Sequence, residues 1–188
     1  MPAIQTTPPL VEPVTLAEAK AHLRVTHADD DSYISTLIKT ARMTVEAQTG
    51  LALIAQGWSV FLDDWPNGGV ITLPLFPVID VVDIKVYGDD SVAAIIDPAH
   101  YYEDRTSRPS RIVLRGSRSW VRPGRVANGI EILLSIGFGA TAATVPEPLR
   151  EAILQLVGHW YATRGDVDGT LQPLNIAELL RPYRRSRL

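Results

Sequence analysis

The sequence contains no cysteine. That single absence excludes disulfide staples, thiolate metal sites and cysteine nucleophiles, and it suits a reducing compartment. No apolar run approaches the roughly 20 residues that a spanning helix needs, so no membrane partner is expected. The start, Met1-Pro2-Ala3-Ile4-Gln5, has neither a basic n-region nor an apolar h-region, and no signal peptide is expected there. There is no Gly-x-Ser-x-Gly elbow and no Walker lysine: residues 137–141, Gly-Phe-Gly-Ala-Thr, read as a strand end and turn. The four histidines include no pair at helical ligand spacing; His22 and His27 stand five apart. Asp29-Asp30-Asp31 lacks the alternating ligands of a calcium loop. The pairs Asp63-Asp64 and Asp89-Asp90 fall at turns, where aspartate serves local hydrogen bonding. No catalytic, metal or cofactor residue is expected, and the chain is read as a non-enzyme.

What remains is an ordinary soluble composition: 188 residues, 46% hydrophobic and 21% charged, long enough to bury roughly 70% of its unfolded surface without staples. The net charge of −3 conceals an uneven distribution. Residues 1–104 carry 15 acidic against 5 basic side chains, and residues 105–188 carry 6 against 13. Either the two halves set opposite charges toward partners, or the charges mix once the chain folds.

Periodicity divides the chain into three. Residues 1–14, with Pro2, Pro8, Pro9 and Pro13, read as an extended arm. Thr15 with Glu18 forms a capping-box pattern, and a first helix is expected to about Arg24. The aspartate triplet opens a second helix whose stripe is Ile34, Leu37, Ile38, Ala41 and Val45, closed by Gly50. Residues 51–140 switch to short Val/Ile-rich runs between turns: five to seven strands, at 58–62, 70–73, 79–87, 101–102, 111–115 and 130–136. Helix returns after Pro146-Glu147-Pro148 with the face Leu149, Ile153, Leu156, Val157, Trp160 and Tyr161, which Gly165 is expected to end. A short helix over 175–180 precedes Pro182 and a basic tail, 183–188. The expected fold is α+β: a helical core of two N-terminal and two C-terminal helices (15–50 and 146–182), with an inserted antiparallel β subdomain at 51–140.

Two arginine clusters are the candidate interaction residues. Between 105 and 125 there are seven arginines and no acid, among them Arg105, Arg108, Arg118, Arg122 and Arg125, with Trp120 in their midst. Arginine with an aromatic can grip phosphate and stack on bases, so this block is read as an interface or a channel lining. The tail offers Arg181, Tyr183, Arg184, Arg185 and Arg187, residue types that serve as interface anchors.

Three stretches carry a resemblance. Val14-Thr15-Leu16-Ala17-Glu18-Ala19-Lys20-Ala21-His22-Leu23-Arg24-Val25 with Asp29-Asp30-Asp31-Ser32-Tyr33-Ile34 resembles the opening of phage head–tail connector (adaptor) proteins, as found in long-tailed phages and phage-like gene transfer particles. Val145-Pro146-Glu147-Pro148-Leu149-Arg150-Glu151-Ala152-Ile153 through Arg164 resembles their late helix, and Ile176-Ala177-Glu178-Leu179-Leu180-Arg181-Pro182-Tyr183-Arg184 their closing segment. The resemblance implies a structural subunit at the head–tail junction of a virion or phage-like particle, assembled in the bacterial cytoplasm. It implies a ring, usually dodecameric, that sits on the portal protein, extends the DNA channel and meets neck or tail-terminator proteins. Double-stranded DNA would pass without sequence-specific contact, and no catalytic residue or cofactor is implied. The long β block departs from the smaller, nearly all-helical members. The alternatives are a nucleic-acid-binding module using the arginine-rich block, or a different neck or tail-completion protein.

Overall fold

The computed structural model describes residues 1–115, 120–164 and 174–184. The chain divides into two compact units: residues 1–9 with 55–138, and residues 10–54 with 139–188.

The second unit is helical: α1 (Leu16–Leu23), α2 (Asp31–Thr49), α3 (Glu147–Thr163) and α4 (Leu174–Leu180). Local chemistry sets most of its boundaries. Thr15 and Glu18 close the capping box in both directions, which satisfies two amide groups at the start of α1. Arg24 ends α1 in the left-handed region, and Gly50 does the same for α2 at φ 71°. The α2 start differs from the expectation in its cause. Asp30 occupies the cap position but its side chain makes no capping bond. Its carboxylate instead accepts hydrogen bonds from the Tyr161 hydroxyl and from Arg164, 3.1 Å away, and Lys20 pairs with Asp31. At the far end of α3, the left-handed residue is Arg164 (φ 43°); the expectation for Gly165 lies outside the described residues.

The stripe Ile34, Leu37, Ile38, Ala41 and Val45 is buried, and so are Leu149, Ile153, Leu156 and Val157. These two faces meet where α2 packs on α3, while α4 adds the fully buried Ile176 and Leu180. Trp160 and Tyr161 are only half-buried, at the end of the face. Gly158 lets α1 approach α3: a Cβ there would stand 3.3 Å from His22 Nε2. Among the described residues, one charged side chain is buried in this core. Arg42 is 5% exposed and is held by Glu12 at 2.7 Å and Glu46 at 2.6 Å, while Glu46 also accepts the Leu53 amide. A buried guanidinium is tolerable only because both carboxylates answer it.

Among its described residues the first unit contains eight strands in two antiparallel sheets. The larger runs β1 (Ala3–Thr7), β2 (Gln56–Leu62), β8 (Ile130–Ile136), β4 (Val78–Tyr87) and β5 (Ala93–Ile95); the smaller runs β3 (Val70–Thr72), β7 (Arg111–Leu114) and β6 (Tyr101–Asp104). The central strand β8 alternates buried Ile130, Ile132, Leu134 and Ile136 with half-buried Glu131, Leu133 and Ser135. Period 2 thus puts one face of the sheet inward. Val60, Ile84 and Val86 pair in register on that face. Two β-bulges in β4, at Val78/Asp80 and Val81/Asp83, bring Val81, Ile84 and Val86 opposite Leu134, Ile132 and Ile130.

Within residues 1–14, read from the sequence as an extended arm, Ala3–Thr7 form an edge strand against β2. Proline flanks that strand but leaves the interior amides of Ala3 to Thr7 intact, so a ladder can form. The turn at Gly68 (φ 87°) and Gly69 (φ 67°) separates strands that do not pair with each other. β2 pairs with β1 and β8, and β3 pairs with β7, across far longer stretches of chain.

Candidate functional site

In the β unit the arginine-rich stretch is woven into its surroundings. Arg105 donates to Glu103 at 2.6 Å, to Asp80 at 2.7 Å and to the Ile79 carbonyl. Arg111 bonds Asp104 at 2.6 Å. Asp104 also accepts from Ser107 and Thr106, and the Ser107 hydroxyl, followed by Arg111, holds its carboxyl far below the usual carboxylate range. Three other guanidinium groups lie on aromatic rings: Arg108 over Phe76 at 4.8 Å, Arg115 over Tyr102 at 6.0 Å and Arg125 over Tyr87 at 4.2 Å. Arg122 is exposed, and Arg118 lies outside the described residues.

Trp120 is likewise engaged. Its ring stacks on Trp65 with centroids 4.1 Å apart and planes 12° apart. Trp65 Nε1 donates to the Val121 carbonyl at 2.6 Å, and Asp63 accepts the Asn128 amide at 2.8 Å. Within the segment that links β7 to β8, Trp120, Val121 and Asn128 are therefore pinned. Gly124 makes this possible beside the β4–β5 turn, since a Cβ there would fall 2.2 Å from the Asp89 amide nitrogen. An aromatic free on both faces could sandwich a base; Trp120 has one face covered.

The polar face of the larger sheet has its own hub. Glu131 accepts from Ser59 at 2.7 Å and from the Tyr87 hydroxyl at 2.6 Å, with Lys85 Nζ at 3.9 Å. Burial pushes this carboxyl up, but the two hydroxyl donors and the Lys85 charge outweigh burial and hold it below its ordinary value. Tyr87 is pushed up in return by the same hydrogen bond.

Counted by unit, the charge asymmetry of the sequence disappears. The β unit holds ten acids against eight bases, and the helical unit eleven against ten. Of the two readings of the asymmetry, mixing in space holds within the β unit, where acids before residue 105 pair with arginines after it.

In the helical unit, α4 runs into a single 3₁₀ turn, Arg181–Tyr183, with Pro182 inside it. Arg181 is exposed and stands 3.7 Å from Glu178; Tyr183 is half-buried. Arg184 reaches Gln48 on α2 at 3.4 Å. Arg185 and Arg187 lie outside the described residues. The structure thus brings Arg181, Tyr183 and Arg184 together at the end of α4. In the sequence this end showed as a short helix, a proline and a basic run with Tyr183; that Arg184 reaches Gln48 on α2 had no sequence signal. Among the described residues, no group of three or more His, Asp or Glu is placed to hold a metal ion, and no helix is long and apolar enough to cross a membrane.

A helical unit paired in one chain with a two-sheet antiparallel unit is an α+β protein whose conspicuous chemistry lies in surface arginines. Residues 13–87, which span α1, α2 and β2 to β4, match the family model of the phage gp6-like head–tail connector protein, and the resemblance read from the sequence is borne out. No match was found among curated protein sequences. Among solved structures, the chain is similar to one in the neck of an empty GTA particle computed with C6 symmetry, with a TM-score of 0.87 and 24% identity over 100% of this chain and 97% of that one. It is similar to a chain in the virion of a native gene transfer agent (GTA) particle, with a TM-score of 0.85 and 25% identity at the same coverage. A third, from the neck of a native GTA particle computed with C12 symmetry, gives 0.84 and 24%.

Proposed function

We propose that this chain is a structural head–tail connector subunit. It works at the head–tail junction of a tailed phage or gene transfer agent particle, where copies form a ring on the portal, extend the DNA channel and join the head to neck and tail proteins. The observation that carries the reading is the likeness over the whole of this chain and 97% of its counterpart to a chain of a GTA neck, together with the family match at 13–87. Symmetric necks among the similar structures support a cyclic assembly.

The surface chemistry fits passage of DNA without capture. A loop that gripped DNA would offer unpaired guanidinium groups to phosphate, with a steep salt dependence. Here Arg105 is matched by carboxylates, and Arg108 and Arg125 are laid on rings. Arg118 and Arg122 remain channel-lining or interface candidates. The end of α4 supplies the attachment: Arg181, Tyr183, Arg184, Arg185 and Arg187 dock on the portal or a neighbouring subunit, arginine for carboxylates and tyrosine as the rigid apolar anchor.

The test uses portal-bearing heads and the purified chain. Full-length chain joins the heads. A chain lacking residues 184–188 keeps its thermal midpoint nearly unchanged, since exposed Arg184 gives up a long 3.4 Å contact with Gln48, but fails to attach. Wild-type occupancy by the truncated chain would remove the tail from the mechanism, and failure of the full-length chain to join heads would overturn the connector reading.

A further inference from the structure

The larger sheet has five strands, and each adjacent pair is antiparallel. An odd number of such strands makes the two edges, β1 and β5, run in the same direction. Neither edge is guarded by charge. Natural edges carry charges, above all lysine, to block pairing with another chain. Residues 1–9 and 91–96 contain no Asp, Glu, Lys or Arg. All three residues of β5 are exposed, and the largest side chains on the two edges, Ile4 and Ile95, are 58% and 64% exposed.

The ladder bonds say which main-chain groups are free. The Pro2 carbonyl accepts from Phe61 N at 3.0 Å, so Pro2 and Ile4 turn toward β2, and Ala3 and Gln5 turn outward. On the other edge, the Val92 carbonyl accepts from Gly88 N and Ile96 N donates to Ile84. Val92, Ala94 and Ile96 therefore turn toward β4, and Ala93 and Ile95 turn outward. Among the described residues nothing answers the outward groups.

We infer that β5 of one copy pairs in parallel with β1 of the next, continuing the sheet from subunit to subunit. This inference rests on the ring proposed above. A sideways neighbour in the same orientation presents β1 to β5 as parallel strands. In a parallel pair, an outward residue lies opposite one that turns inward, which sets Ile4 against Ala93 or Ile95. The side-chain faces agree. Ile4 shares a face with Ser59 and Leu133, and Ile95 shares one with Lys85 and Glu131; Leu133 and Glu131 are two apart on β8, so it is the same face. The pairing covers Ile4 and Ile95 together. A closed ring also demands two different surfaces per subunit, and two unlike edges of one sheet meet that demand.

The absence of cysteine gives a clean test. Two double variants, Ile4→Cys with Ala93→Cys and Ile4→Cys with Ile95→Cys, cover the two registers. Each is assembled with portal-bearing heads, oxidised, and run on a non-reducing gel. The expected result is a ladder well beyond the dimer for one variant, collapsing on reduction, with nothing above a dimer for the single-cysteine chains. Ile95→Pro should cut the assembled fraction at least tenfold while leaving the melting curve near wild type, because it removes only an outward amide. Rings on the heads without a ladder in either register, or with Ile95→Pro at wild-type occupancy, would overturn the inference and leave the connector reading intact. Failure of the wild-type chain to assemble at all would overturn both.

Discussion

The helical unit and the β unit are specified by different kinds of sequence information. In the helical unit the signals are local. A cap at Thr15, a stripe from Ile34 to Val45 and a second stripe from Leu149 to Val157 each lie within a few turns of one another, and each buries what its periodicity says it buries. In the β unit, partners lie far apart in the sequence: Val60 meets Ile132, and Ala3 meets Val60. No local pattern states which strand joins which. The helical unit is thus held by faces, and the β unit by pairings reinforced with side-chain clasps such as Trp65 on Trp120.

Breaking a face should cost most. Ile153→Ala or Leu37→Ala removes a buried side chain from the α2–α3 contact and is expected to destabilise by about 2–5 kcal/mol, read by chemical denaturation. Amide exchange would show the loss in residues 10–54 and 139–164 first. The buried charge comes next. Glu12→Ala leaves Arg42 with one carboxylate in place of two and should cost about 3 kcal/mol, whereas Glu147→Ala, an exposed partner of Arg150, should cost less than about 0.5 kcal/mol.

The β unit gives a sharper signature in pH than in size. The Glu131 carboxyl is depressed below its ordinary 4.5 by Tyr87, Ser59 and Lys85. A depressed carboxyl stabilises the fold above its unfolded pKa, and the contribution disappears as pH falls through the folded one. Wild type should therefore lose stability relative to Glu131→Gln as pH falls below the ordinary 4.5 and through the lowered folded value, with the gap largest near neutrality. A gap that does not change with pH would mean that the hub acts through packing alone. The smallest effect is expected at the α1 cap, where Thr15→Ala should cost about 1 kcal/mol and shorten α1 from its start.

The same contrast explains what could be read from the sequence. Helix positions, caps and the apolar faces were readable because each is encoded within about ten residues. Most strands were readable as Val/Ile runs, but β5 was not: Ala93-Ala94-Ile95 has no alternation and is exposed throughout, so only its pairing with β4 makes it a strand. β1 was hidden by its flanking prolines. For the arginine block, residue type and density were visible, but the neutralising partners were not. Asp80 and Phe76 lie 25 and 32 residues from the arginines they engage, and nothing in the composition links them.

The central claim is that this chain joins heads to tails. In a particle-producing bacterium deleted for the chain, electron microscopy should show DNA-filled heads and separate tails, and adding the purified chain to that lysate should restore joined particles. Joined particles at the normal frequency without the chain would contradict the account.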